Sequence, residues 1–289
     1  MLVFFTDTDC DITPDIAKEY GFELISMPYF VNEKEINPYV DWQDFNSKEF
    51  YDMLRGGVIP KTSAISPSKY IEYFEPHFKA GNDIIYVHFS KNMSGTFNAM
   101  NLALEELYEK YPERKFYSID TKAITALSYL IIKEIGKLYK EGKTALELIK
   151  WAETEVQKYA IYFYVDDLTF FRQSGRVSGL AGVFGNLLNI HPIIHINSDG
   201  IMTNITKARG KNNTINKIIE MIDEIQDDIA SHKIIVAHSD AYDIALLVKN
   251  KLIEKYGEGL DIEFVVVNPT AGSHCGPNCV GVAFHAKHR

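Results

Sequence analysis

Four segments of this chain carry side chains whose types and spacing point to chemistry. Lys61-Thr62-Ser63-Ala64-Ile65-Ser66-Pro67-Ser68 places two adjacent hydroxyls ahead of a helix start at Ser66-Pro67. Ser66 is accounted for as an N-cap with Pro at the first helical position, but Thr62 and Ser63 lie before the cap and are left over. Ser90-Lys91-Asn92-Met93-Ser94-Gly95-Thr96 follows an apolar run directly and opens a helix. Hydroxyls and a glycine at the C-terminal end of a parallel strand lie where α/β proteins bind ligands. Free N–H groups and the helix dipole favour an anion there, although capping by Ser94 explains the same residues without a ligand. In Val165-Asp166-Asp167-Leu168-Thr169-Phe170-Phe171-Arg172-Gln173-Ser174-Gly175-Arg176, the two arginines are either solvated turn residues or cations beside an anion site. Finally, Gly272-Ser273-His274-Cys275-Gly276-Pro277-Asn278-Cys279 reads as a tight loop that positions His274. As metal ligands, His274, Cys275 and Cys279 number three at most, one short of a structural zinc site, so no metal is expected.

The elements that must position these groups alternate. Short apolar runs at 2–5, 24–31, 83–89 and 115–119 are separated by helical stretches near 46–55, 68–79, 96–109, 123–140 and 144–157, and an early helix starts at Thr13-Pro14. Such alternation indicates βαβ units and a parallel sheet. Beyond residue 157 a run at 161–165 precedes a Gly-rich stretch, and a hairpin at 191–197 and 201–207 turns through Ser198-Asp199-Gly200. Helices near 211–229 and 241–256 then alternate with runs at 233–238, 261–267 and 280–285. The expected fold class is α/β with two domains: an N-terminal parallel-sheet domain over 1–157 and a C-terminal α+β domain with a mixed sheet over 158–289, with the ligand site between them.

Bulk properties narrow the function. The 289 residues, 46% hydrophobic and 24% charged, are enough for a sizeable core. A net charge of −9, with no basic cluster to displace counterions, argues against nucleic acid. No apolar run approaches the ~20 residues of a bilayer span. Met1-Leu2-Val3-Phe4-Phe5-Thr6-Asp7 reads as a first strand rather than a signal peptide. Three cysteines are too few for a disulfide scaffold, so a reducing cytoplasm and an acidic monomer are the default expectations. There is no P-loop and no Gly-x-Gly-x-x-Gly at the first βα turn, so no nucleotide cofactor is expected.

Taken in order, the motifs resemble the DegV family. The resemblance rests on the Asp7-x-x-x-Asp11 loop, Thr62-Ser63, Ser94-Gly95-Thr96, Asp120-Thr121, and Val165-Asp166-Asp167-Leu168 with Arg172 and Gly175-Arg176. It continues through Asp199-Gly200, Lys207-Ala208-Arg209-Gly210 and His274-x-Gly276-Pro277, and spans about residues 3 to 285. It implies a fatty-acid-binding protein without catalysis of its own, which presents its bound long-chain acid to a separate fatty acid kinase. It puts the carboxylate ligands on Thr62, Ser94 and His274, with Ser63, Gly95 and Thr96 beside them, Arg172 near the carboxylate end, and Arg209 on the kinase-facing surface. The chain departs from the family at Ala64-Ile65, Gln173-Ser174, Asn278 and Asn212-Asn213. These departures fall on loop geometry and partner-facing charge rather than on the three proposed ligands. Transient membrane contact is compatible with such a carrier.

Side chains of these types suit a fatty acid. About fourteen methylenes gain roughly 11 kcal/mol from burial before ordering costs, whereas an unpartnered carboxylate opposes it. Hydrogen bonds to a charged acceptor return about 1.5–3 kcal/mol each. The stretch from Val177 to Ile190, rich in Gly and apolar residues, reads equally as a tunnel wall or as a closely packed helix. The rival reading is a serine esterase or thioesterase with Ser94 as nucleophile, His274 as base, and Asp7, Asp9 or Asp11 orienting the base. Ser94 lacks the Gly-x-Ser-x-Gly elbow such enzymes usually carry.

Overall fold

The structure is a computed structural model that describes residues 1–40, 43, 45–178 and 189–289. The chain enters as β1 (Leu2–Asp7), passes through one 3-10 turn into α1 (Pro14–Tyr20), and returns as β2 (Phe22–Ile25). Thr13 caps α1 by accepting from the Ile16 N–H, and Pro14 opens it. A small antiparallel excursion follows: β3 (Tyr29–Val31), β4 (Lys34–Ile36), α2 (Ser47–Arg55) and β5 (Lys61–Thr62). Next come α3 (Pro67–Lys79), β6 (Asp83–His88), α4 (Thr96–Lys110), β7 (Phe116–Asp120), α5 (Thr125–Lys140) and α6 (Ala145–Glu155). Ser66 caps α3 through the Lys69 N–H.

The rest of the chain supplies β8 (Tyr159–Tyr164), α7 (Thr169–Ser174), β9 (Val177–Ser178), β10 (Ile190–Ile196), β11 (Met202–Arg209) and α8 (Lys211–Ile225). It closes with β12 (Ile234–His238), α9 (Tyr242–Tyr256), β13 (Ile262–Val266), α10 (Pro269–Cys275) and β14 (Val280–His285). Three sheets result. The first has order β2-β1-β6-β7, all parallel. The second is mixed, with order β13-β12-β14-β8-β10-β11-β9, and the third is β4-β3-β5. The expected α/β class with a parallel and a mixed sheet is therefore what the chain adopts. The strands of the parallel sheet lie within residues 2–120 and those of the mixed sheet within 159–285.

Strand periodicity sorts the mixed sheet's side chains onto two faces. Val280, Val282 and Phe284 of β14 join Tyr162, Tyr164 and Val236 in an outer cluster under α8 and α9. Ile161, Phe163, Ile194, Ile196, Ala237 and Ala283 point the other way, into an inner cluster shared with the parallel sheet. Helix α5 lies between the sheets, against β8, β12 and β14 and the turn after β1. It is apolar almost all round, from Ala126 to Ile135, because both sides are covered.

Candidate functional site

The inner cluster is not solid. A cavity with about 1110 Å³ of empty space, its open mouth included, lies between the C-terminal ends of β1 and β6, the inner face of the mixed sheet, and α10. Room exists partly because neighbouring strands place two small residues in register: Ala237 pairs with Gly281, which in turn pairs with Phe163. All three line the cavity, with Ile161, Ile196 and Met202 beyond them.

The cavity is polar at one end. Thr62, Ser63, Ser94, Gly95, Arg176 and His274 line it together. Ser63, Gly95 and Arg176 are exposed at its mouth, whereas Ile161, Phe163 and Ala237 are buried. Thr62 reaches the site from β5, which pairs with β3 through Tyr29. Its hydroxyl forms a 3.0 Å hydrogen bond with Nε2 of His274. Ser94 lies between β6 and α4, where its Oγ accepts from the Thr96 N–H at 3.2 Å. The hairpin turn braces this segment: Ser90 Oγ donates to the Gly200 carbonyl and Asn92 Nδ2 to that of Asp199.

His274 occupies the last turn of a short helix, α10, rather than a loop. The helix is fastened along its length. Asn268 caps it by accepting from the Ala271 N–H, and donates from its own N–H and Nδ2 to Asp11 Oδ1 at 2.9 and 2.8 Å. Thr270 donates to the Met27 carbonyl. The site of Gly272 lies so close to α2 that a Cβ would stand 2.6 Å from the Tyr51 hydroxyl. Gly276 ends the helix at φ 69°, with space for a Cβ only 2.3 Å from Phe170. Gly276→Ala is therefore expected to cost roughly 1–3 kcal/mol of stability and to unseat His274. Thermal denaturation of the variant measures it, and an unchanged melting temperature would count against this packing.

Two of the expected residues lie elsewhere. Thr96 is buried and turned away: its Oγ1 accepts from the Ile65 N–H at 3.1 Å and pairs with the Tyr70 hydroxyl at 2.9 Å. It fastens the start of α3 to α4. Arg172 is exposed on α7 and is not among the described residues that line the cavity, whereas Arg176 is. The reason is local. Gly175 ends α7 in the left-handed region at φ 66°, so the chain leaves the helix and Arg176 is carried to the cavity. The Gly175-Arg176 pair was the signal for this in the sequence. Arg209 is exposed at the end of β11, away from the cavity. The stretch expected as a tunnel wall lies, from 179 to 188, outside the described residues.

Burial, and next to it the Arg176 cation, pushes the His274 imidazole down to about 4, so it is neutral at neutral pH. Cys275 and Cys279 are free, buried thiols beside it in the same wall. The loop after β1 carries the opposite sign of shift. Burial pushes Asp7 up to about 6 and Asp11 up to about 7. Donors from Tyr86 and Phe89 to Asp7, and from Asn268 to Asp11, only partly offset it. Asp9 is raised well above the carboxylate range by burial and then by Asp7 and Asp11.

A carboxyl with a raised folded pKa penalises the fold above that pKa, and the penalty is relieved as pH falls towards the unfolded value. Asp11→Asn keeps an acceptor for Asn268 and removes the ionisable group. Its melting temperature is expected to exceed wild type at pH 8, with the advantage shrinking by on the order of 2 kcal/mol by pH 5. A pH-independent difference would contradict the burial argument for Asp11.

Fold and site together define a class: an α/β protein with a parallel and a mixed sheet, an apolar cavity between them and a polar, partly cationic mouth. The chain belongs to the DegV family, matching the family described as "Uncharacterised protein, DegV family" over residues 2–287. A DegV domain-containing protein of Clostridium perfringens is 30% identical over 282 residues, covering 98% of this chain and 96% of that protein. Among solved structures, a stearic acid-binding protein from Eubacterium ventriosum superposes with a TM-score of 0.86 at 19% identity, covering 99% of both chains. DegV of Bacillus subtilis, described as a fatty acid binding protein, gives 0.81 at 22% identity and covers 99% of both. Among the described residues no helix is long and apolar enough to cross a membrane.

Proposed function

We propose that this protein binds a long-chain fatty acid in the cavity, carboxylate at the mouth and tail inside. The observation that carries the reading is the polarity gradient: Thr62, Ser94, His274 and Arg176 at one end, Ile161, Ile196, Met202 and Ala237 within. The Ser94 and Thr62 hydroxyls donate to the carboxylate, with the neutral imidazole donating from Nε2 to Thr62 Oγ1 so that the Thr62 O–H is left for the ligand; Arg176 balances the charge, and the buried wall takes the methylenes at about 0.8 kcal/mol each. The DegV relatives described as binding fatty acids support the same ligand class.

In this reading the protein is a carrier without catalysis of its own. His274 Nε2 pairs with Thr62, and Ser94 Oγ accepts from the Thr96 N–H, so no Ser94–His274 pair favours the esterase alternative. Handing the acid to a separate fatty acid kinase is the finer part of the proposal. Arg209, exposed beside Lys207 and Lys211, is its suggested contact. The cytoplasm is the proposed compartment, supported by three free thiols. The proposed domain division falls at residues 157 and 158, between the strands of the two larger sheets.

Native mass spectrometry of freshly purified protein, followed by lipid extraction, tests the ligand class. About one fatty acid per chain is expected. A protein that is empty and also takes up no added fatty acid would overturn the proposal.

A further inference from the structure

Three polar residues line the same cavity without a part in the carboxylate site: Thr125, Thr270 and Asp9. Asp9 lies in the 3-10 turn after β1 and is only 6% exposed, yet it lines the cavity. Its neighbours are held by protein donors: Asp7 by Tyr86 and Phe89, Asp11 by Asn268. Asp7 Oδ1 and Asp11 Oδ2 are nevertheless buried without a partner, as is Asp9 Oδ1; Asp9 differs in having no donor to its side chain among the described residues and in lining the cavity. Met27 takes up its backbone N–H with Thr8 Oγ1 and its carbonyl with Thr270.

We propose that Asp9 is a second, interior polar subsite that recognises a hydroxyl group on the acyl chain, so that the cavity selects hydroxy fatty acids. This rests on the fatty-acid reading above and narrows it to a substrate class. An unpartnered buried polar group is costly, and a ligand that supplies its partner recovers that cost. A protonated carboxyl offers one O–H donor and a carbonyl acceptor, and a single hydroxyl can meet both. An ionised carboxylate would still accept from the hydroxyl, so recognition holds in either protonation state. In the proposed pose the mouth residues hold the carboxylate, and Asp9, buried in the cavity lining, meets the chain instead. An unsubstituted chain leaves Asp9 unmatched.

The test uses delipidated full-length protein and competition against labelled palmitic acid. The competitors are monohydroxy C16 and C18 acids with the hydroxyl at successive mid-chain to terminal positions, beside the parent acids. At least one positional isomer is expected to bind roughly tenfold tighter than its parent. In Asp9→Leu the ratio of hydroxy to parent affinity is expected to collapse to about one. Asp9→Asn, which keeps a donor and an acceptor, is expected to retain part of it and serves if the leucine variant does not fold. No preferred isomer in the wild type, or a preference that persists in Asp9→Leu, would overturn the proposal and assign the carboxyl to bound water. Failure of wild type to bind any parent acid would instead sink the fatty-acid reading itself.

Discussion

Thr62→Val weakens binding of a C16 or C18 fatty acid by roughly ten- to a hundredfold, with little loss of fold stability. Thr62 is only partly buried and lies on a two-residue strand, so its isosteric replacement disturbs no core packing. In the proposed pose it removes a donor to the carboxylate. A hydrogen bond to a charged group contributes about 1.5–3 kcal/mol, and each 1.4 kcal/mol is a factor of ten. A second loss follows. His274 Nε2 is paired with the Thr62 hydroxyl, so the imidazole loses the contact that fixes its ring. Equilibrium competition with a fluorescent fatty acid measures the effect. Affinity unchanged within twofold would remove Thr62 from the carboxylate site.

Ala237→Phe acts on the other end and is the larger perturbation. Ala237 lies on the inner face of β12, paired with Gly281, where two small residues leave room that the proposed tail would occupy. A phenyl ring there displaces three or four methylenes, at about 0.8 kcal/mol each, or roughly a hundredfold in affinity for a C16 acid. Shorter acids that end before the ring lose less, so the preferred chain length falls. A uniform loss across C8 to C18 acids would contradict a tail placed along this wall. A modest drop in melting temperature is expected as well, since an overfilled wall costs about 1–3 kcal/mol.

Much of this was legible in the sequence because strong local signals agreed with the fold. Caps at Thr13-Pro14 and Ser66-Pro67 marked helix starts that the structure keeps, and the Asp199-Gly200 turn marked the hairpin. The apolar runs at 83–89 and 280–285 are β6 and β14 within a residue. What escaped was short or set by tertiary packing. The three-stranded sheet is built from strands of two and three residues, too short to show a period. Gly272 to Cys275, read as the start of a tight loop, become the end of the helix Pro269–Cys275 because Asn268 caps it and Asp11 anchors the cap.

The site divides in the same way. Thr62, Ser63, Ser94, Gly95 and His274 converge from segments more than 200 residues apart at the extremes, and their residue types announced them. Thr96 carried the same chemical signal as Ser94, but on the first turn of α4 it faces Tyr70 and Ile65 instead. Which of two neighbouring hydroxyls points into a cavity depends on helix phase at a boundary, which sequence reading fixes poorly. Arg176 was separated from Arg172 by Gly175, whose left-handed conformation redirects the chain. Asp9 gave no signal of its own, since burial and missing donors are properties of the folded environment.

The most direct measurement is a crystal structure of the protein loaded with palmitic acid. It is expected to show one acid in the cavity, its carboxylate oxygens within hydrogen-bond distance of Thr62 Oγ1 and Ser94 Oγ, and its tail along Ile161, Ala237 and Met202. A reversed chain, with the carboxylate among those apolar residues, or palmitate bound only outside the cavity, would contradict the account.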